Sequence, residues 1–154
     1  MQIKPYKKLT LMSVLSFIIM YVIMYFMVDT LDHVFLNINK FYMAGLMTLP
    51  MLVLGVLLMK SMYTNNLMNT WIIIGSAILF GLLFLFLRGQ VAVADKQFLR
   101  SMIPHHSSAV LMCERAHIKD RKIQELCRSI VETQLAEIKQ MNDMLDRLKV
   151  GEGI

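Results

Sequence analysis

The stretch that decides the fold is LTLMSVLSFIIMYVIMYFMV, residues 9–28, twenty residues without a charge. Two further apolar runs follow, FYMAGLMTLPMLVLGVLLM at 41–59 and WIIIGSAILFGLLFLFL at 71–87. A helix needs about 17–25 apolar residues to cross the hydrocarbon core of a bilayer, and all three runs qualify. Lipid offers no hydrogen bonds to the backbone, so these runs are expected as helices and not as strands. Pro50 inside the second is tolerated there and is expected to kink it. A cleavable signal is the competing reading of the first run. That run is longer than the 7–15 residues of a signal core, and no small-residue cleavage site follows it, so a retained helix is expected.

Outward from these runs, the chain of 154 residues divides into a membrane domain, 1–90, and a charged extramembrane domain, 91–154. Lys4, Lys7 and Lys8 precede the first run, whereas the next loop carries Asp29 and Asp32 against Lys40. Basic flanks stay in the cytoplasm, which places the N-terminus there and the C-terminal domain outside it. Arg88, Lys96 and Arg100 weigh the other way. The expected location is the inner membrane of a bacterium, with the C-terminal domain periplasmic. The net charge of +5 comes from the residues flanking the membrane runs, and the tail is nearly balanced. Lipid is therefore the expected partner, and nucleic acid is not. No span contains a charged residue, which argues against ion-coupled transport. Met20, Met24 and Met27 would share one face of the first helix, and Met43, Met47 and Met51 one face of the second. Lipid-facing or packing roles are favoured for both stripes over a thioether path, because methionine is also simply hydrophobic.

In the tail, apolar residues recur every three or four positions, the helical period. A break at HIKDRK, where Asp120 can cap the next helix, predicts helices at 91–118 and 121–149. An antiparallel hairpin turning at residue 120 would set His106 opposite Gln134, His105 opposite Leu135 and Cys113 opposite Cys127, with Glu137 near Ile103. Gln134 and Glu137 interrupt an otherwise apolar seam, and polar groups buried there need partners. A two-helix seam can bury only one of two adjacent histidines, whereas a four-helix bundle offers a wider core. The expected architecture is therefore all-α: three transmembrane helices, then a helical hairpin completed to a four-helix bundle by a second copy of the chain.

The stretch SMIPHHSSAVLM, 101–112, supplies the candidate site. Imidazole and thioether ligands together suit cuprous copper, and by extension silver. His105, His106, Met102, Met112 and Met141 offer both types, with Glu137 and Gln134 as further ligands or as groups that orient an imidazole. Pro104 has no N–H, so within a helix it would free the carbonyl of Arg100 and bend the axis. The competing reading has an exposed histidine pair and methionines that fill the core. For Cys113 and Cys127 three readings stand: a disulfide, narrowly preferred, a pair of free thiols, or additional copper ligands. Glu114 and His117 form a Glu-x-x-His pair like those of di-iron bundles, but the facing positions lack the glutamates such a site needs, which leaves iron the weaker candidate.

DKQFLRSMIPHHSSAVLM, 95–112, followed by IVETQLAEIKQMNDML, 130–145, resembles the bacterial domain-of-unknown-function family number three hundred and five. The shared pattern runs through Phe98, Met102, Pro104, His105, His106, Ala109, Met112, Gln134, Glu137, Ile138 and Met141. The resemblance covers about the last 60 residues. It implies a ferritin-like helical bundle, often periplasmic, some of whose members bind copper or silver. The function it suggests is a membrane-anchored protein that sequesters cuprous or silver ions or passes them to a partner still to be identified. A ferritin-like metal oxidase and a metal-free membrane-tethered assembly module are the alternatives. No nucleophile–base set and no phosphate-binding loop is present.

Overall fold

A computed structural model describes residues 4–151. The order is α1 (Lys4–Ile23), a 3-10 turn (Leu31–His33), α2 (Ile38–Leu58), α3 (Asn66–Arg88), α4 (Asp95–Arg115) and α5 (Arg121–Gly151). Among the described residues there is no strand, and the fold is all-α. Helices α1, α2 and α3 are each long and apolar enough to cross a membrane. Their large side chains, including Val14, Ile18, Leu54, Trp71, Ile78 and Leu85, stay exposed along their lengths. An apolar surface that extensive marks contact with lipid or protein.

The first helix is displaced from its expected span. It begins at Lys4, taking in the basic flank, and ends at Ile23, five residues early. A turn follows, closed by the Val28 N–H donating to the Tyr25 carbonyl at 3.2 Å. The Lys40 ammonium donates to the Met24 carbonyl at 2.7 Å, capping the helix end that a free carbonyl would otherwise leave open. Met24 and Met27 therefore lie beyond α1, although the Met24 N–H still reaches the Met20 carbonyl at 3.2 Å, so the expected Met20–Met24–Met27 stripe is not carried on one continuous helix. Met43, Met47 and Met51 do share one exposed face of α2.

The chain divides into two compact units, and the division differs from a simple cut at residue 90. The first unit comprises residues 1–24 and 39–91, the second 25–38 and 92–154. In the first, Tyr6, Leu9, Val56 and Tyr63 form a small core, with the Tyr6 and Tyr63 rings 5.4 Å apart. The Tyr6 hydroxyl accepts from the Asn65 N–H at 3.2 Å and donates to Asn69 Oδ1 at 2.9 Å, tying the start of α1 to the start of α3. Asn65 in turn caps α3, its Oδ1 accepting from the Met68 N–H at 3.0 Å. Helix α2 passes close to α3 at Gly45, where an added Cβ would stand 2.6 Å from Leu83 Cδ1. Helix α3 ends in a Schellman turn: the Val91 N–H reaches the Phe86 carbonyl and the Gln90 N–H that of Leu87, with Gln90 at φ 50°.

In the second unit α4 and α5 pack antiparallel, through a core of Leu99, Ile103, Ile138, Met141 and Leu145. Asp120 starts α5 as expected, its Oδ1 accepting from the N–H groups of Lys122 and Ile123 at 2.9 and 3.1 Å. The loop between α1 and α2 belongs to this unit, which nothing in the sequence announced. Its Phe35 packs on the α4–α5 core.

Candidate metal-binding site

Helix α4 runs through Pro104 without interruption, and the proline ring is fully buried. A proline cannot donate to the carbonyl one turn earlier, so that of Arg100 is left open. Asn37, buried in the α1–α2 loop, fills the gap: its Nδ2 donates to the Arg100 carbonyl at 3.4 Å and to that of Phe35 at 3.0 Å. One residue on, the Ile38 N–H donates to Gln97 Oε1 at 3.2 Å. A turn above the proline, the fully buried Ser107 accepts from the Asp29 N–H at 2.9 Å, and His33 Nδ1 lies 3.0 Å from the same oxygen. The proline thus serves a docking function: a missing donor in α4 recruits a donor from the loop.

On the face of α4 toward α5, His106 is held at both ring nitrogens. Nδ1 lies 2.9 Å from the Met102 carbonyl, and Nε2 lies 2.9 Å from Glu137 Oε2. The imidazole is 12% exposed and the carboxylate 46%, so the pair opens to solvent through Glu137. Met102 packs against the core that includes Met141. Two i,i+4 pairs, Met102 with His106 and Glu137 with Met141, therefore face each other across the two helices.

The register differs from the expected one. His106 meets Glu137, one turn beyond Gln134, which is half-buried. Side chains on a helix lean toward its N-terminus. In an antiparallel pair, His106 leans away from the turn while Glu137 leans back toward it, so long partners meet one turn off the level of their Cα atoms. Cysteine has too little reach for that offset to matter. Cys113 and Cys127 do sit opposite each other, as free thiols. A hydrogen bond with Cys127, reinforced by burial, pushes the Cys113 thiol up to about 11.

The remaining candidates separate from this centre. His105 is exposed, its ring centroid 5.9 Å from that of His106 but directed away from the packed face. Met112 is 54% exposed. Helix α4 ends at Arg115, so Glu114 and His117 never form the i,i+3 pair of one helix face that a di-iron motif requires, and both are exposed. Among the described residues no three His, Cys, Asp or Glu side chains converge as a metal would need. The donors near His106 are instead one imidazole, one carboxylate and two thioethers. Sequence reasoning missed Asn37, Ser107 and the use of His33. The one available signal was the proline itself, because an interior proline always leaves a carbonyl to be satisfied.

Residues 86–145 match the domain of unknown function (DUF305), a span running from the end of α3 through α4 and most of α5. An uncharacterized protein of Acanthamoeba polyphaga mimivirus is 35% identical over 143 residues, covering 91% of this chain and 92% of the relative. That alignment extends through the apolar helices as well as the tail. No solved structure matches. With a relative this similar along nearly its whole length, the chain belongs to the family of this viral protein, and its C-terminal part carries the DUF305 domain.

Proposed function

We propose that the chain is a membrane-anchored protein that binds cuprous or silver ions at the α4–α5 pair, for sequestration or transfer. The observation that carries this reading is the setting of His106. With Nδ1–H donating to the Met102 carbonyl, Nε2 is the nitrogen left to act as a ligand, the arrangement by which proteins commonly orient a metal-binding imidazole. Met102 and Met141 add thioether sulfurs on the two helices, and imidazole with thioether is a donor set for soft monovalent ions. Glu137 holds Nε2 when no ion is bound, and an ion would displace the proton they share. The donor set thus fits a soft ion better than iron.

The topology supports an anchored arrangement. The α1–α2 loop docks on α4 through Asn37, Asp29 and His33, which requires the loop and the tail to share a side of the membrane. Three crossings would meet that requirement: the loop follows the first and α4 follows the third. Lys4, Lys7 and Lys8 then mark the opposite, cytoplasmic side. A viral relative shows that the family is not confined to bacteria, so the proposal names a side of the membrane and leaves the periplasm as its bacterial case. A second copy of the chain would complete a ferritin-like four-helix bundle. Phe98, Met112, Ile123, Leu126 and Leu135, exposed on the helix pair, are available for it.

The His106–Glu137 contact also favours a second reading. A pair complete without metal can fix the register of two helices, as buried polar contacts do elsewhere. The test is a competition titration of the full chain in detergent micelles, with cuprous ion buffered by a chromophoric chelator. It is run with Cys113→Ser/Cys127→Ser as the parent and His106→Ala or Met102→Leu/Met141→Leu added. Binding by the parent that falls in both variants supports the proposal. Binding that is absent, or indifferent to His106, leaves the register role.

A further inference from the structure

We infer that Cys113 and Cys127 form a second, sulfur-only site that holds one cuprous ion between two thiolates, separate from His106. Cys113 stands in the last turn of α4 and Cys127 in the second turn of α5, and an opening there is lined from both helices and from the connection at 116–120. The opening is a cleft of about 490 Å³ lined by Cys113, Glu114, Cys127, Arg128, Val131 and Glu132. Both thiols are half-buried on its wall and free. A thiol buried as filler would be enclosed by apolar side chains, whereas these border an opening of mixed polar and apolar lining that is large enough for an ion to enter.

The chemistry follows from the pairing. Soft monovalent ions take thiolate ligands and accept low coordination numbers, so two sulfurs suffice without a third donor. Metal–sulfur bonds run about 2.3 Å, so two in line span about 4.6 Å. Both thiols line one cleft, so side-chain rotations about two Cα–Cβ bonds are the movement that brings the sulfurs to that span. Binding is not a redox step: one cuprous ion and two thiols give a bis-thiolate complex and two released protons. The complex carries one negative charge; Arg128, Glu114 and Glu132 all border the cleft from solvent-exposed positions, where water screens the favourable and the unfavourable charges alike. The site shares with the proposed function the choice of a soft ion and none of its ligands.

The experiment uses the full chain in detergent micelles, with His106→Ala as the parent, and counts reactive thiols before titration with chelator-buffered cuprous ion. Expected are two thiols, a thiolate-to-copper ultraviolet band that saturates at one ion per chain, and about two protons released per ion. Cys113→Ser and Cys127→Ser should each abolish the band, lowering affinity by more than the roughly 10–100-fold typical of losing a group that only orients a ligand. Three results would overturn the inference. One is two free thiols with no band. Another is a band that survives either single serine variant, since that reports bridging between chains. The third is a thiol pair that returns to a disulfide in air even with copper present. The titration that reads His106 in the cysteine-free chain is independent, so either site can fail alone.

Discussion

The contact between Asn37 and the carbonyl that Pro104 leaves open makes a quantitative prediction. Asn37 is 4% exposed and gives hydrogen bonds of 3.0 Å to the Phe35 carbonyl and 3.4 Å to that of Arg100. A buried group stripped of its partner costs about 1–3 kcal/mol, and the longer bond stands at the weak end of that range. Asn37→Ala should therefore cost about 2 kcal/mol, of which about 0.5–1 kcal/mol belongs to Arg100. Pro104→Ala restores an N–H able to bond that same carbonyl within α4. In the Pro104→Ala background, Asn37→Ala should be milder by the Arg100 share, because the carbonyl is no longer orphaned. The loss of the buried proline ring appears on both sides of this double-mutant cycle and cancels. The assay is urea denaturation of the full chain in detergent, followed by helical ellipticity, for the parent and three variants. Equal costs in both backgrounds, within about 0.3 kcal/mol, would show that the loop does not answer the proline.

Other expectations follow from single contacts. Ser107→Ala removes the acceptor of the Asp29 N–H and the partner of His33. It should lower stability by about 1–3 kcal/mol and speed hydrogen exchange at Asp29 ahead of the rest of the unit. Asp120→Ala should cost about 1 kcal/mol and loosen the Lys122 and Ile123 amides, readable by the same exchange experiment. The Cys113 thiol, held at about 11, should react with iodoacetamide about a hundredfold more slowly at pH 7 than an ordinary thiol. Cys127→Ala removes the hydrogen-bond partner, lowers that value and should speed the reaction; an unchanged rate would refute the assigned cause. In the first unit, Gly45→Val presses on Leu83 and should lower the thermal midpoint. Gly75→Ala, with nothing within 4 Å of an added Cβ, should leave the midpoint unchanged or raise it.

The apolar runs were legible because membrane helices write their length directly into composition, and the Asp120 cap because a side-chain oxygen before a helix has one evident use. The end of α1 was not legible. Residues 24–28 are as apolar as those before them, and what stops the helix is a turn at Tyr25 and a lysine sixteen positions away that caps Met24. The docking of the α1–α2 loop was hidden for a similar reason: Asn37, Asp29 and His33 are ordinary loop residues until α4 offers Ser107 and an open carbonyl. At the site, spacing found both histidines and could not tell them apart. Packing separates them, since adjacent residues on a helix point about 100° apart and only one can face α5. The level of Gln134 was a reasonable guess for short side chains and failed for long ones, which meet one turn away.

The structure gives the stretch from Met102 to Ser107 two sets of contacts on different faces of one helix. Toward α5, Met102 and His106 meet Glu137 and Met141. Toward the loop, Pro104 and Ser107 hold the segment that leads from α1 into α2. Because the two faces share about two turns of backbone, the Met102 carbonyl that orients His106 lies between the Arg100 carbonyl that Asn37 holds and the Ser107 hydroxyl that meets Asp29. The proposed ligand site would inherit rigidity from both sides of this segment, which is what a preorganised imidazole requires. The coupling also runs in reverse. If the loop clasp is what fixes this segment, Asn37→Ala and Ser107→Ala should weaken the proposed cuprous binding at His106 in the cysteine-free chain, although neither residue belongs to the proposed ligand set. Affinity unchanged in both variants would show that packing against α5 alone positions the imidazole and that the clasp serves assembly of the fold.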